Sequence, residues 1–223
     1  RRRHTRLLTV TGVQTCALPI LGRQAERSGW VVAFPNGFSR LPGGRFATWN
    51  AGGCCGAARD QGSDDVGFLR AVVATLRERL PIDPRRVFAA GFSNGGMMSH
   101  RLACEAADVF RAVASVAGTD ATAGCTPARP VAVLQIHALD DDHVLFQGGA
   151  GAQAFRDRRQ VMDFVSVPET LRRWAERDRC APTPQRVLSV PGAHCDEWSG
   201  CAGGVPLRLC RSEEHTSELQ SQS

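Results

Sequence analysis

Ser93 stands in the pattern Gly91-Phe92-Ser93-Asn94-Gly95. A serine between two glycines at that spacing marks a nucleophile elbow, a sharp strand-to-helix turn that lifts a hydroxyl above a sheet. The flanking residues fit that context. Arg86-Val-Phe-Ala-Ala90 reads as the strand, and Met97, Met98, Arg101, Leu102 and Cys104 follow at helical spacing. Glycine is required because the flanking chain passes where a side chain would clash, and the serine itself must adopt strained backbone angles. The chemistry expected is attack of the Ser93 hydroxyl on an acyl carbon. The Asn94 N–H, in the first turn of the following helix, would stabilise the oxyanion that forms.

Such a serine needs a base, and the base needs an acid, in the chain order nucleophile, acid, histidine. Ile136-His-Ala-Leu-Asp-Asp-Asp-His143 places Asp140, Asp141 and Asp142 where a strand over residues 131–136 ends. The carboxyl edge of a sheet is where open αβ folds put their sites. Only one of three adjacent carboxylates can point at a base, and their like charges oppose joint ionisation. His137 and His143 lie too near this loop to fit the chain order, so they read as loop-packing or pocket residues. His194, in Pro191-Gly-Ala-His-Cys195, does satisfy the order.

These residues need a framework. Residues 21–28 read as the tail of a helix closed by Gly29, and Trp30-Val-Val-Ala-Phe-Pro35 as a buried strand. Residues 36–63 form a long glycine-rich loop whose cysteines could pin it. Within it, Trp49 either lines a pocket or anchors the loop. Asp64 or Asp65 caps a helix with Val66, Leu69, Val72, Val73, Leu76 and Leu80 on one face. Strands follow over residues 111–116, 131–136 and 186–190. Residues 148–165 look irregular and could cover the pocket. Ser166-Val-Pro-Glu169 is a capping box that opens a helix through Leu171 and Trp174. Residues 195–201 read as a hairpin excursion, and a last strand starts near residue 205. The alternation predicts a mostly parallel, doubly wound sheet with helices on both faces.

The two ends stand apart. Residues 211–221 resemble the translation of a common sequencing-library adapter, and residues 10–20 can be encoded by the reverse complement of the same DNA. Residues 1–20 and 211–223 are therefore expected to be adapter-derived, with 21–210 a single native domain fragment, incomplete at both ends and without its signal peptide. His215 is then not a native residue. The chain has 27 basic and 22 acidic residues. Removing the end segments takes away five Arg and three Glu, so the net charge falls from +5 to +3. A balance that mild, with arginines scattered among acids, gives no warrant for nucleic-acid binding. No apolar run approaches membrane-spanning length. Cys54, Cys55, Cys104, Cys125, Cys180, Cys195, Cys201 and Cys210 suggest disulfides and an oxidising compartment rather than a metal site, with 105 pairings open.

The chain resembles the α/β-hydrolase esterases of the polyhydroxybutyrate depolymerase and feruloyl esterase type. The resemblance rests on Thr48-Trp-Asn50 with Gly53-Cys-Cys-Gly56, Asp64-Asp-Val-Gly-Phe68, Gly91-Phe-Ser-Asn-Gly-Gly-Met-Met98 with Arg101-Leu-Ala-Cys104, Ile136-His-Ala-Leu-Asp-Asp-Asp-His-Val144, and Ser166-Val-Pro-Glu-Thr170 with Trp174. It implies an extracellular serine esterase acting through an acyl-enzyme, with no metal and no cofactor. Ser93 would be the nucleophile, Asp141 the acid and the Asn94 N–H half of the oxyanion hole. Its partner is a small-molecule or polymeric ester such as a polyhydroxyalkanoate or a feruloyl or acetyl ester on polysaccharide. Ala138, Leu139 and Asp140 depart from the family's pattern around the acid. The family's histidine-glycine oxyanion loop would lie upstream of Leu21, and its catalytic His in a glycine-rich stretch beyond Cys210. His194 falls in a block that precedes the catalytic His in relatives. Two other readings are an inert fragment that hydrolyses p-nitrophenyl butyrate no faster than its Ser93→Ala variant, and a serine peptidase on the same fold.

Overall fold

The computed structural model describes residues 5–11, 17–154 and 163–213, with side chains from residue 21 onward. In chain order the elements are β1 (Thr5–Thr11), α1 (Ala17–Ser28), β2 (Trp30–Ala33), α2 (Gly56–Asp60), α3 (Asp65–Arg79), β3 (Ile82–Phe92), α4 (Asn94–Glu105), β4 (Ala112–Val116), β5 (Ala132–Ala138), α5 (Val167–Arg177), β6 (Gln185–Val190), β7 (Ala193–Trp198) and β8 (Leu207–Ser212). The strands form one sheet in the order β2-β1-β3-β4-β5-β8-β7-β6. From β2 to β8 every pairing is parallel, and β8, β7 and β6 continue it as an antiparallel meander. The mostly parallel sheet agrees with the alternation of strands and helices read from the sequence.

The strands alternate as a pleated sheet requires. Val87, Ala89 and Gly91 of β3, Val113 and Ser115 of β4, and Val133, Gln135 and His137 of β5 are buried, while their neighbours Phe88, Ala90, Leu134 and Ile136 are half-buried. Helix α4 covers the buried face so closely that a Cβ on Gly96 would lie 2.5 Å from Ser115 Oγ. It is buried along Gly95, Gly96, Met97, Met98, Ser99 and His100, and again at Leu102, Ala103 and Cys104. Only a helix wedged between sheet and neighbours is apolar on so much of its surface. Helix α5 buries Val167, Thr170, Leu171 and Trp174, a single stripe at i, i+3, i+4 and i+7. Burying each of its large apolar members contributes roughly 1.5–3 kcal/mol. Ser166 caps it as expected, the Glu169 N–H donating to Ser166 Oγ at 3.1 Å, while the Glu169 carboxylate accepts from Arg172 and Arg173.

Three sequence expectations change in detail. The hairpin excursion expected at 195–201 is a strand, β7, held between β6 and β8. Its polar side chains escaped notice because the meander lies at the sheet's margin, where β6 is exposed at all six positions. Of the two candidate caps for α3, Asp64 takes the role, accepting from the Gly67 N–H at 2.9 Å, while Asp65 turns inward. Leu80, expected on the buried face of that helix, is its exposed C-cap. Strand β1 and the start of α1 fall within residues 1–20. Of the irregular stretch 148–165, residues 155–162 lie outside the described residues.

All eight cysteines expected to pair do so: Cys54 with Cys55, Cys104 with Cys125, Cys180 with Cys201 and Cys195 with Cys210. The Cys104 bridge ties the end of α4 to the loop after β4, and the Cys180 bridge ties the end of α5 to the loop after β7. Each of these two closes a sequence separation of 21 residues. Restricting the unfolded chain over such a loop contributes about 3 kcal/mol in the chain-entropy account.

Candidate active site

The carboxyl ends of the central strands finish level. Phe92 pairs with Val116, Val116 with Ile136, and Ile136 with Cys210 of β8. Ser93 is the first residue beyond β3 and has φ 52° and ψ −120°, a conformation that a serine adopts only where its surroundings impose it. They do so here. The Ser93 N–H donates to Val116 O at 2.8 Å, and its carbonyl accepts from the Met97 N–H at 3.0 Å. A Cβ on Gly118 would approach Ser93 O to 2.4 Å, so only glycine lets the β4 exit pass beneath the turn. Asn94 begins α4, and the N–H of a first-turn residue has no partner within its own helix.

The Asn94 side chain has its own task. Its Oδ1 accepts from the Trp49 N–H at 2.6 Å, and its Nδ2 donates to Trp49 O at 2.9 Å, so the amide pairs with the backbone as a neighbouring strand would. Asp65 secures the next residue, accepting from the Asn50 N–H at 2.6 Å and from Ser63 Oγ at 2.8 Å. Arg101, about two helical turns further along α4, donates to Asn50 O at 2.6 Å. Trp49 is 3% exposed and stacks on Phe68, which decides between the two readings of that side chain: it anchors the loop. The roles of Asp65 and of the Asn94 amide were missed in the sequence. The available signal was their joint occurrence with Thr48-Trp-Asn50 in polar motifs that flank apolar elements.

Asp141 is 5% exposed in the loop that leaves β5. Its Oδ1 accepts from the N–H groups of His143 at 2.9 Å and Val144 at 3.0 Å, two bonds that fix the orientation of the carboxyl group. Its Oδ2 lies 3.4 Å from His137 Nε2. Asp142 instead faces the His143 ring, with 2.8 Å between Oδ1 and Nδ1, and both are half-exposed. The adjacent aspartates thus differ in environment: Asp140 is exposed, Asp142 half-exposed and Asp141 buried in the loop. Strand β8 runs beside β5 toward the same place, with Leu209 pairing with Gln135 and Cys210 with Ile136.

None of the described histidines hydrogen-bonds the Ser93 hydroxyl. His100 and His137 are fully buried, and burial lowers the pKa of each, which disfavours the charged ring. His194 is on the same rung of the sheet as His137, since it pairs with Arg211 and Arg211 with His137. That rung meets β3 four strands away, about 19 Å at the usual strand spacing. Its Nε2 accepts from Arg211 Nε, and Arg211 belongs to the segment expected to be adapter-derived. Chain order made His194 a candidate; position in the sheet removes it.

Comparison with known proteins agrees with this geometry. A family model described as the prolyl oligopeptidase family matches residues 56–125, the stretch from α2 through the elbow to Cys125. Feruloyl esterase B of Piromyces equi is 33% identical over 193 residues, which is 84% of this chain and 34% of that protein. Feruloyl esterase C of Emericella nidulans is 39% identical over 145 residues, 64% of this chain and 47% of that protein. Among solved structures, acetyl xylan esterase from Aspergillus awamori superposes with a TM-score of 0.62 at 13% identity, over 93% of this chain and 82% of that one. The chain spans about a third of the length of the first of these relatives. Sheet order, elbow and sequence similarity together make this chain an α/β-hydrolase that is similar in sequence to feruloyl esterases over about a third to a half of their length.

Proposed function

We propose that the protein to which this chain belongs hydrolyses carboxylic esters through an acyl-enzyme. The observation that carries the reading is Ser93 held at φ 52° and ψ −120° on the same sheet edge as the loop of Asp141. Ser93 Oγ attacks the ester carbonyl and the Asn94 N–H receives the developing oxyanion, aided by the positive end of α4. An imidazole takes the serine's proton and returns it to the leaving alcohol; water then repeats the cycle on the acyl-enzyme. Asp141 orients that imidazole. The exit of β8 beside the acid loop is where a base following that strand would arrive, in keeping with the chain order of such triads. Serine, imidazole and carboxylate suffice for this chemistry, with no cofactor or metal.

The native portion in this reading is residues 21–210, and the four disulfides fit an extracellular enzyme. Feruloyl or acetyl esters on polysaccharide are the favoured substrates, with short polyhydroxyalkanoates as the other class. The match to a prolyl oligopeptidase model gives a peptidase reading some standing, but that match covers only the elbow region that both chemistries share. Paired chromogenic ester and anilide substrates separate the two. For the 223-residue chain itself we expect p-nitrophenyl butyrate turnover no faster than that of Ser93→Ala, since none of the described imidazoles reaches Ser93. In protein extended along its genomic reading frame past β8, turnover is expected to exceed that of Ser93→Ala by at least about a thousandfold. Equal rates in that pair would refute the assignment of Ser93.

A further inference from the structure

The mechanism above uses neither His137 nor the polar residues buried beside it, yet they form one connected chain beneath the site. Trp174 Nε1 of α5 lies 3.0 Å from His100 Nδ1 on α4. His100 Nε2 lies 2.9 Å from Gln135 Oε1 on β5. Gln135 Nε2 reaches Gly118 O at 2.9 Å and His137 Nδ1 at 3.2 Å. His137 Nε2 reaches Val144 O at 2.8 Å, with Asp141 Oδ2 at 3.4 Å. Trp174, His100, Gln135 and His137 are all fully buried.

One arrangement of protons satisfies every link. An indole N–H can only donate, so His100 Nδ1 accepts and its proton is on Nε2. That proton goes to Gln135 Oε1, which leaves both amide protons of Gln135 for Gly118 O and His137 Nδ1. His137 Nδ1 therefore accepts, and its proton is also on Nε2, aimed at Val144 O and Asp141 Oδ2. Each donor meets an acceptor, so the direction of the chain is set from Trp174 onward. Its two ends are informative: Gly118 packs against the Ser93 carbonyl, and Val144 supplies one of the N–H groups that hold Asp141.

We propose that His137 is a positioning residue for Asp141, its neutral Nε2–H tautomer fixed by Gln135 and used to hold the 138–144 loop in register with the elbow. This deepens the esterase reading and rests on it for the role of Asp141. His137 acts through Asp141 and Val144 and touches no reacting atom. Gln135 is the hub, because it alone contacts α4 through His100, the elbow through Gly118 and the acid loop through His137. A neutral amide at that hub accepts on one side and donates on the other. A carboxylate there would require a proton on His137 Nδ1 and reverse the ring's polarity.

The test uses the 223-residue chain and needs no catalysis. Long-range nitrogen–proton NMR spectra of the histidine rings are expected to show Nε2–H tautomers for both His100 and His137. In Gln135→Glu the His137 signal is expected to change to an Nδ1-protonated form, and amide exchange at His143 and Val144 to quicken by about tenfold or more, while β4 amides keep their protection. Should Gln135→Glu fold poorly, His137→Phe, which keeps the ring and loses its N–H, should raise exchange at the same two amides, and His137→Asn, whose amide can donate to Val144 O, should restore most of it. An Nδ1–H tautomer of His137 in the unaltered chain overturns the proposal. So does unchanged exchange at His143 and Val144 once the tautomer has switched, or in His137→Phe. Failure of the ester assays alongside these NMR results would refute the esterase reading alone and leave the coupling of His137 to Asp141 standing.

Discussion

His137 and His194 occupy the same rung of one sheet, and each has an aspartate oxygen within 4 Å of its Nε2, Asp141 at 3.4 Å and Asp196 at 3.9 Å. By distance alone both look like acid–base dyads. The surroundings separate them. His137 is enclosed, its two nitrogens assigned to Gln135 and Val144, and no arginine pairs with Asp141 among the described residues. His194 lies half-buried on the marginal meander, and its aspartate is shared between Arg186 and Arg211. There the carboxylate neutralises guanidinium groups, whose proximity holds its pKa below the ordinary carboxylate range against the opposing effect of burial. An imidazole beside a carboxylate becomes a working element only when every other demand on the two groups is already met.

The comparison can be broken by substitution. His137→Leu leaves a Gln135 amide proton and Val144 O without partners in a dry interior, and is expected to cost about 2–4 kcal/mol of stability in urea unfolding. His194→Leu should cost less, about 1 kcal/mol or below, because its half-buried ring leaves Asp196 still paired with Arg186 and Arg211. Similar losses for the two would mean that burial is not what distinguishes them.

Acidification sharpens the contrast. His100 faces Asp120, Arg177 and Gln135, and His137 faces Asp141 and Val144; burial lowers both rings' pKa values in the folded protein. The unfolded chain binds protons near the ordinary histidine value of about 6.5, so folding stability falls as pH drops below that value. Asp178 acts in the opposite sense. Its buried carboxyl is raised to about 6 by burial, which the Val131 amide and Arg177 only partly offset. Its destabilising effect is complete above that pH and is relieved as pH falls toward about 4, where the unfolded carboxyl also protonates. Asp178→Asn is therefore expected to stabilise the protein by about 1–2 kcal/mol at pH 7 and to make the loss between pH 6 and 4 steeper. A stability profile unchanged by that substitution would place the carboxyl in contact with solvent.

Much of this was legible because the relevant signals are local. The elbow was readable from glycine spacing and its strand and helix context, the α5 cap from Ser166, and the sheet from alternating strand and helix periods. Asp141 was singled out among three aspartates by resemblance, and the structure shows the physical distinction in its two backbone donors. The buried relay was not read, although it left a trace: Gln135 and His137 fall on the same alternating face as Val133, a polar pair where the pleat demands core. Pairing that trace with His100 and Trp174, 35 and 39 residues away from Gln135, needs the tertiary fold. The elimination of His194 also required strand order, since chain order by itself admits it.

The proposed hydrolysis requires Ser93 to be the group that is acylated. The most direct measurement is mass spectrometry of acid-quenched protein after incubation with p-nitrophenyl butyrate, with free imidazole supplied as the base. The prediction is a single butyryl group on the peptide containing Ser93, absent from Ser93→Ala. A butyryl group of equal yield on another residue, surviving in Ser93→Ala, would contradict it.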